Sequence, residues 1–399
     1  MGSGPRPGHI GGNWVRVDSD KRPMRDGRAI GSLNCRAVST AISFARGAPC
    51  PEALSGDLIA TCTAAALAAD AARVLSYGTG QGYPPLREVL AHEHGVNPDQ
   101  VFVTNGSLQG YVFMLENLLA PGDLVAVEAP TYDRALLQLR LHGMEVLPIA
   151  VQHDGLDVDA LAAACAAGRV PKLLYTIPNF QNPSGATLSA AKRTALLDLV
   201  DRYGFWLLED DPYGKLRFEG DPITGLFAAH QGDKVMFTSS FSKTVAPGLR
   251  VGYIIAPKDV SATLAAAASR TYISPSLLAE AAIAQLVTGG HLPGNIAHVT
   301  NLMRERRDAM AEGLVHMPAG TACTPPQGGF FMWLELPDGL SADALFDAAA
   351  AAGIAYVKGS DCLLSGGERT LRLAYSGVGT AEIAEGMQRL GTVFQAAVA

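Results

Sequence analysis

Val235-Met236-Phe237-Thr238, running into Ser239-Ser240-Phe241-Ser242-Lys243, is the stretch on which the fold of this chain is read. The first four residues read as a buried strand, and the strand ends in hydroxyls and a lysine. The same pattern recurs on both sides. Val101–Thr104, Leu124–Glu128, Val146–Val151, Leu173–Ile177, Phe205–Glu209 and Gly252–Ile255 also read as buried strands, with amphipathic helical runs such as Ala190–Tyr203 between several of them. Strand and helix alternating in this way predict an α/β fold with a mostly parallel, seven-stranded sheet covered on both faces. Its connections are right-handed, and ligands gather at the carboxyl ends of the strands. The pattern changes after about residue 290: a helix through Arg304–Gly313, a strand Gly329–Leu336, a helix Ala342–Ala352, a strand Thr370–Ala374 and a closing helix read as a smaller α+β domain. The expected organisation is an N-terminal arm plus part of the small domain over 1–54, a large domain over 55–290 and a small domain over 291–399.

Composition narrows the function classes. Hydrophobic residues make up 48% and charged residues 17% of 399, a globular balance. A net charge of −7 speaks against a general nucleic-acid-binding surface, and Arg304, Arg306 and Arg307 read as the solvated face of a helix. The cysteines (Cys35, Cys50, Cys62, Cys165, Cys323, Cys362) lack C-x-x-C spacing and read as reduced, mostly buried thiols rather than a disulfide framework or a zinc site. The start, MGSGPRPGHIGGNW, has no apolar core of a signal peptide, and the Ala-rich runs 56–73 and 260–269 are too short or too interrupted to span a membrane. A cytoplasmic protein is expected, with neither nucleic acid nor membrane as partner.

The chemistry lies just past the strands. Lys243 follows a buried strand, where burial disfavours the ammonium and frees the amine to form a Schiff base; a lone lysine in such a loop would otherwise be a surface residue. Gly248-Leu249-Arg250 follows seven residues later. Its guanidinium, with Ser240 and Ser242, makes a phosphate pocket, and a lysine beside a phosphate site suits pyridoxal 5'-phosphate. Gly106-Ser107-Leu108 lies at a strand-to-helix junction, where backbone N–H groups hold phosphate, although Ser107 also reads as an ordinary helix cap. Asp210, in Glu209-Asp210-Asp211-Pro212-Tyr213, can pair with a pyridinium nitrogen, and Tyr213 can reach the ring's phenolic oxygen; a plain acidic turn or a metal cluster is the other reading, weakened by Pro212 and the absence of nearby histidines. Asn182, in Asn182-Pro183-Ser184-Gly185, can donate to that same oxygen, and Tyr132 can stack on a flat ring.

Taken together and in this order, these motifs resemble a fold type I, class I/II pyridoxal phosphate-dependent aminotransferase. The subgroup resembled contains 2-aminoadipate and kynurenine aminotransferases and the aminotransferase-like domains of certain bacterial regulators. The resemblance runs from about Ile42 to the C-terminus, and Ser240-Phe241-Ser242-Lys243 through Arg250 carries it most specifically. It implies catalytic roles for Lys243, Asp210 and Tyr213. Ser107, Leu108 (through its backbone), Ser240, Ser242 and Arg250 would hold the phosphate, Tyr132 would stack, and Asn182 and Tyr213 would contact the phenolic oxygen. Arg372 matches the arginine that clamps a substrate α-carboxylate. Tyr77 matches a residue reaching the neighbouring subunit's cofactor, which implies a homodimer. Where the family commonly has two glycines near the substrate, this chain has Arg46-Gly47; Arg46 either meets a substrate side chain or points into solvent.

Two decoys are set aside. Gly78-Thr79-Gly80-Gln81-Gly82 lacks the spacing of a dinucleotide loop, and His92 and His94 face apart on a helix, so no metal site is expected. The activity implied is amino-group transfer between an L-amino acid and a 2-oxo acid. The alternatives are another reaction on the same cofactor (elimination, cyclisation, decarboxylation or oxidation) and, behind it, the effector-sensing domain of a regulator.

Overall fold

The computed structural model describes residues 41–230 and 232–398. Most of the expected N-terminal arm, with Cys35, lies outside the described residues. The central strands are short apolar runs with hardly any exposed position; Val101–Thr104, Leu173–Thr176 and Gly252–Ile255 are buried throughout. Burial on both faces is what a continuous run of Val, Ile, Leu and Phe requires. All seven expected strands form, within a residue or two of the expected ends. From one edge the order is Val101–Thr104, Gly252–Ile255, Val235–Ser240, Trp206–Asp210, Leu173–Thr176, Leu124–Ala129, Glu145–Gln152 and Gly155–Leu156. The five strands from Val235–Ser240 to Glu145–Gln152 run parallel, and Gly252–Ile255 is antiparallel to both its neighbours. The eighth strand, Gly155–Leu156, is an addition: the chain turns at His153-Asp154 and Gly155, at φ 99°, sets Leu156 back against Val151. Two residues are too few to show any period.

The helix Ala190–Tyr203 illustrates local control. Ser189 accepts a hydrogen bond from the Lys192 N–H at the start, Gly204 ends it in a left-handed conformation, and Leu196, Leu199 and Val200 are buried.

A separate three-stranded antiparallel sheet contains Phe331–Glu335, Thr370–Ala374 and Val357–Lys358, with Thr370–Ala374 in the middle. Ile42–Ser43 pairs in parallel with Ile354–Ala355, tying the start of the described chain to residues more than three hundred positions on. Phe44 is fully buried, and its carbonyl accepts from the Ala374 N–H.

The long helix is Leu292–Glu312, and it corrects the reading of its arginines as a solvated face. Arg306 and Arg307 are each 5% exposed. Arg306 donates to the Ser376 carbonyl and pairs with Glu52. Arg307 donates to the Pro326 carbonyl, pairs with Glu219 and lies over the Phe218 ring. Arg304 is partly buried and donates to the Phe218 carbonyl. Loops that cross this helix present carbonyls and carboxylates to it, so guanidinium burial is offset by fixed acceptors.

Among the described residues, Cys50, Cys62, Cys165, Cys323 and Cys362 are free thiols and all but Cys323 are buried. No described helix is long and apolar enough to cross a membrane.

Candidate active site

The carboxyl ends of the strands open on a cleft of 490 Å³, lined in part by Gly47, Ser107, Leu108, Tyr132, Asn182, Asp210, Tyr213, Ser240, Ser242, Lys243, Arg250 and Arg372. Parallel register is what gathers them: Asp210 lies opposite Thr238, so the chain leaving Val235–Ser240 brings Lys243 past the end of the strand that carries the aspartate.

One end of the cleft is an anion cradle. Ser107 opens the helix Ser107–Leu118, whose first N–H groups have no acceptor within the helix. Arg250 stands beside it in a left-handed conformation at φ 54° and donates through Nη2 to the Asn105 carbonyl at 3.0 Å. Gly106, at φ 92°, makes this approach possible: a Cβ there would sit 2.3 Å from Arg250 Nη2. Gly106 therefore lies under the guanidinium rather than in the cleft lining. Ser240 and Ser242, 7% and 8% exposed, supply hydroxyls at the same end.

In the middle, Asp210 is 8% exposed and accepts the Tyr175 hydroxyl at Oδ2, 2.7 Å away, while Oδ1 has no partner. Burial, with the nearby Asp211 charge, pushes its carboxyl up to about 7, against the opposing effects of Tyr175 and Lys243. An unpartnered buried carboxylate oxygen matches a ligand that brings one N–H. The Lys243 amine donates to the Gly47 carbonyl at 2.5 Å. Burial, then the Arg372 and Arg250 charges, brings its pKa down to about 8. Tyr213 packs against Phe330 and Phe331 at 5.6 and 5.8 Å between ring centroids, and burial raises its phenol well above the ordinary range. Tyr132 precedes the helix Asp133–Leu141, and burial, then Asp133, pushes its phenol up to about 12.

At the far end, Arg372 on the strand Thr370–Ala374 is 6% exposed and lies over the Phe331 ring, its Cζ 4.4 Å from the centroid. It donates to Asn182 Oδ1 at 2.8 Å and to the Ala45 carbonyl at 2.7 Å, and its Nε has no partner. The guanidinium is thus oriented before any carboxylate arrives.

Arg46 is not brought to this cleft. It is exposed and absent from the lining, although Ala45 and Gly47 on either side of it line the cleft. Tyr77, expected at the neighbouring subunit's cofactor, is 86% exposed and stands outside this chain's own lining. His94, one of the two decoy histidines, is half-buried against Phe237 and hydrogen-bonds the Tyr253 hydroxyl, and no metal-binding cluster occurs among the described residues.

Sequence reading missed Tyr175 and Phe331, which lie inside apolar strands and reach the site only through pairing and packing. It also missed two buried networks. Arg193 donates to Asn179, which donates to Asp211, and Glu128 collects hydrogen bonds from Thr176, Ile177 and Gln181.

Residues 39–390 match the family model for aminotransferase class I and II. Aromatic-amino-acid aminotransferase 1 of Thermococcus litoralis is 34% identical, covering 88% of each chain. 2-Aminoadipate transaminase of Thermus thermophilus is 35% identical, covering 90% of this chain and 91% of the relative. A solved kynurenine aminotransferase of Pyrococcus horikoshii, in complex with PMP, superposes with a TM-score of 0.85 at 32% identity, covering 90% of this chain and 92% of that one.

Proposed function

This chain belongs to the aminotransferase class I and II family and is a pyridoxal phosphate-dependent aminotransferase of fold type I; from that premise we propose how its own residues divide the work. The observation that carries the assignment is the placement of the Lys243 amine and the unpartnered Asp210 Oδ1 in one cleft, with an anion cradle at Arg250 and a second guanidinium at Arg372. When bound, pyridoxal phosphate supplies an aldehyde for exchange of amines and a ring that accepts the Cα electrons.

Ser107, the Leu108 backbone, Ser240, Ser242 and Arg250 hold the phosphate. Asp210 holds a proton on the ring nitrogen, and Tyr175 keeps that carboxylate turned toward it. Tyr132 covers the ring face, while Asn182 and Tyr213 contact the phenolic oxygen. Arg372 takes the substrate α-carboxylate, which fixes the amine and Cα above Lys243. Lys243 would hold the cofactor covalently through its amine; once displaced by the substrate amine, its Nζ would serve as the base that takes the Cα proton and the acid that returns it. Burial and the neighbouring Arg372 and Arg250 charges favour the neutral amine that this role requires.

The amino donor is an L-amino acid and the acceptor a 2-oxo acid. The relatives' names point to aromatic or 2-aminoadipate side chains as the first to test. We also propose a homodimer, supported by the exposed Leu75, Tyr77 and Ile273, and a cytoplasmic setting, supported by the free thiols. Division into a large domain over 55–290 and a small one over 291–399 is supported by the eight-stranded sheet falling wholly in the first range and the three-stranded sheet wholly in the second.

Borohydride reduction of the holoenzyme followed by peptide mass spectrometry tests the assignment. A pyridoxyl group on Lys243 is expected, and single amino acids should convert the cofactor to its pyridoxamine form. An adduct elsewhere, or decarboxylated or eliminated products without pyridoxamine, would overturn it.

A further inference from the structure

The loop 178–185 carries Asn182, and Asn182 Oδ1 is one of the two acceptors that orient Arg372. Its position is set from beneath by Glu128, a carboxyl 2% exposed near the end of the strand Leu124–Ala129. Glu128 Oε1 accepts the Thr176 hydroxyl at 2.6 Å, and Oε2 accepts the Ile177 N–H at 3.1 Å and Gln181 Nε2 at 3.0 Å. Gln181 is itself 2% exposed. Its amide also donates to the Pro130 carbonyl at 2.8 Å, and its Oε1 accepts both the N–H and the hydroxyl of Ser184. Asn182 is therefore preceded by a residue whose side chain is held at both ends, its amide nitrogen by the Glu128 carboxyl and the Pro130 carbonyl and its oxygen by Ser184.

We infer that Glu128 is a positioning residue for the α-carboxylate receptor, acting through Gln181 on Asn182 and so on Arg372. It touches neither substrate nor cofactor. The inference rests on the assignment of Arg372 to the substrate carboxylate. Burying a carboxyl is costly unless several donors meet it, and here all three donors belong to the strand end and loop that lead to Asn182. Purely apolar packing could hold a strand end without that cost, whereas directional bonds fix the rotation of the loop as well as its distance.

The required feature is geometric, not the charge. Glutamine can reproduce the contacts: its Oε1 accepts from Ile177 and Gln181, and its Nε2 donates to a Thr176 hydroxyl that has turned about its Cβ–Oγ bond. Alanine can reproduce none of them.

The test is steady-state kinetics of holoenzyme carrying Glu128→Ala, Glu128→Gln, Gln181→Ala and the double Glu128→Ala/Gln181→Ala, with the best amino acid donor and with cofactor absorbance recorded. Glu128→Ala should raise KM about tenfold, the worth of one charge-assisted hydrogen bond lost from alignment. Its kcat should stay near that of the parent, its cofactor absorbance should shift because Asn182 also meets the phenolic oxygen, and Glu128→Gln should restore both KM (to within about twofold) and the parent absorbance. The double variant should be no worse than the poorer single, because both act along one chain. Should Glu128→Ala fail to fold, Gln181→Ala against the parent reads the same KM effect. Unchanged KM with only a lower melting temperature, a fall in kcat alone, additive singles, or Glu128→Gln as impaired as Glu128→Ala would each overturn the inference. A parent enzyme that binds cofactor at Lys243 but turns over no amino acid would instead remove the premise about Arg372.

Discussion

Replacing Lys243 with methionine should make the cofactor-free protein more stable at neutral pH and leave it inactive. The folded chain lowers this amine from an ordinary 10.5 to about 8, by burial first and then by the Arg372 and Arg250 charges. Between those two values the unfolded chain binds more protons than the folded one, so stability rises with pH there, and the cost of holding the ammonium is fully present below the folded pKa. At 1.36 kcal/mol per pH unit, the cost is about 3 kcal/mol at pH 7 and about 1 kcal/mol at pH 9.5. Methionine has no such cost at either pH. It also loses the bond to the Gly47 carbonyl, but that loss is independent of pH, and other titrating groups are common to both proteins. The measurement is urea unfolding of both cofactor-free proteins at the two pH values. The stability of Lys243→Met relative to the parent should fall by about 2 kcal/mol from pH 7 to pH 9.5. A difference between the proteins that stays constant with pH would refute the argument that burial of the charge depresses the amine.

Arg372→Leu should lower kcat/KM for an amino acid about a hundredfold, the equivalent of about 3 kcal/mol for two charge-assisted bonds, with the cofactor spectrum unchanged. Arg372→Lys should recover only part of this in the same kinetic assay, since a point charge cannot form the fork. Gly106→Ala should weaken cofactor binding at least about tenfold in an absorbance titration while circular dichroism stays native, because a Cβ at φ 92° would meet Arg250 Nη2 at 2.3 Å.

The sequence by itself determined the order of elements and the identity of most of the cleft. Short apolar runs rich in β-branched residues and bounded by turns read as buried strands, and the residues that follow them emerge at the sheet's carboxyl edge; Lys243, Asp210, Asn182 and Ser107 were legible for that reason. Gly106 was legible too, because a junction between strand and helix that binds an anion needs a backbone without a Cβ. What the tertiary structure decided is which groups far apart in the chain face each other. Tyr175 meets Asp210 because their strands are neighbours in register, Phe331 supports Arg372 from the adjacent strand of the small sheet, and Glu128 reaches Gln181 across the carboxyl ends of the strands. The burial of Arg306 and Arg307, and the exposure of Arg46 between two cleft-lining residues, belong to the same class. Periodicity records which side of an element is apolar. It carries no information about which acceptor or ring a distant segment will bring to that side, because that depends on the closure of the whole chain.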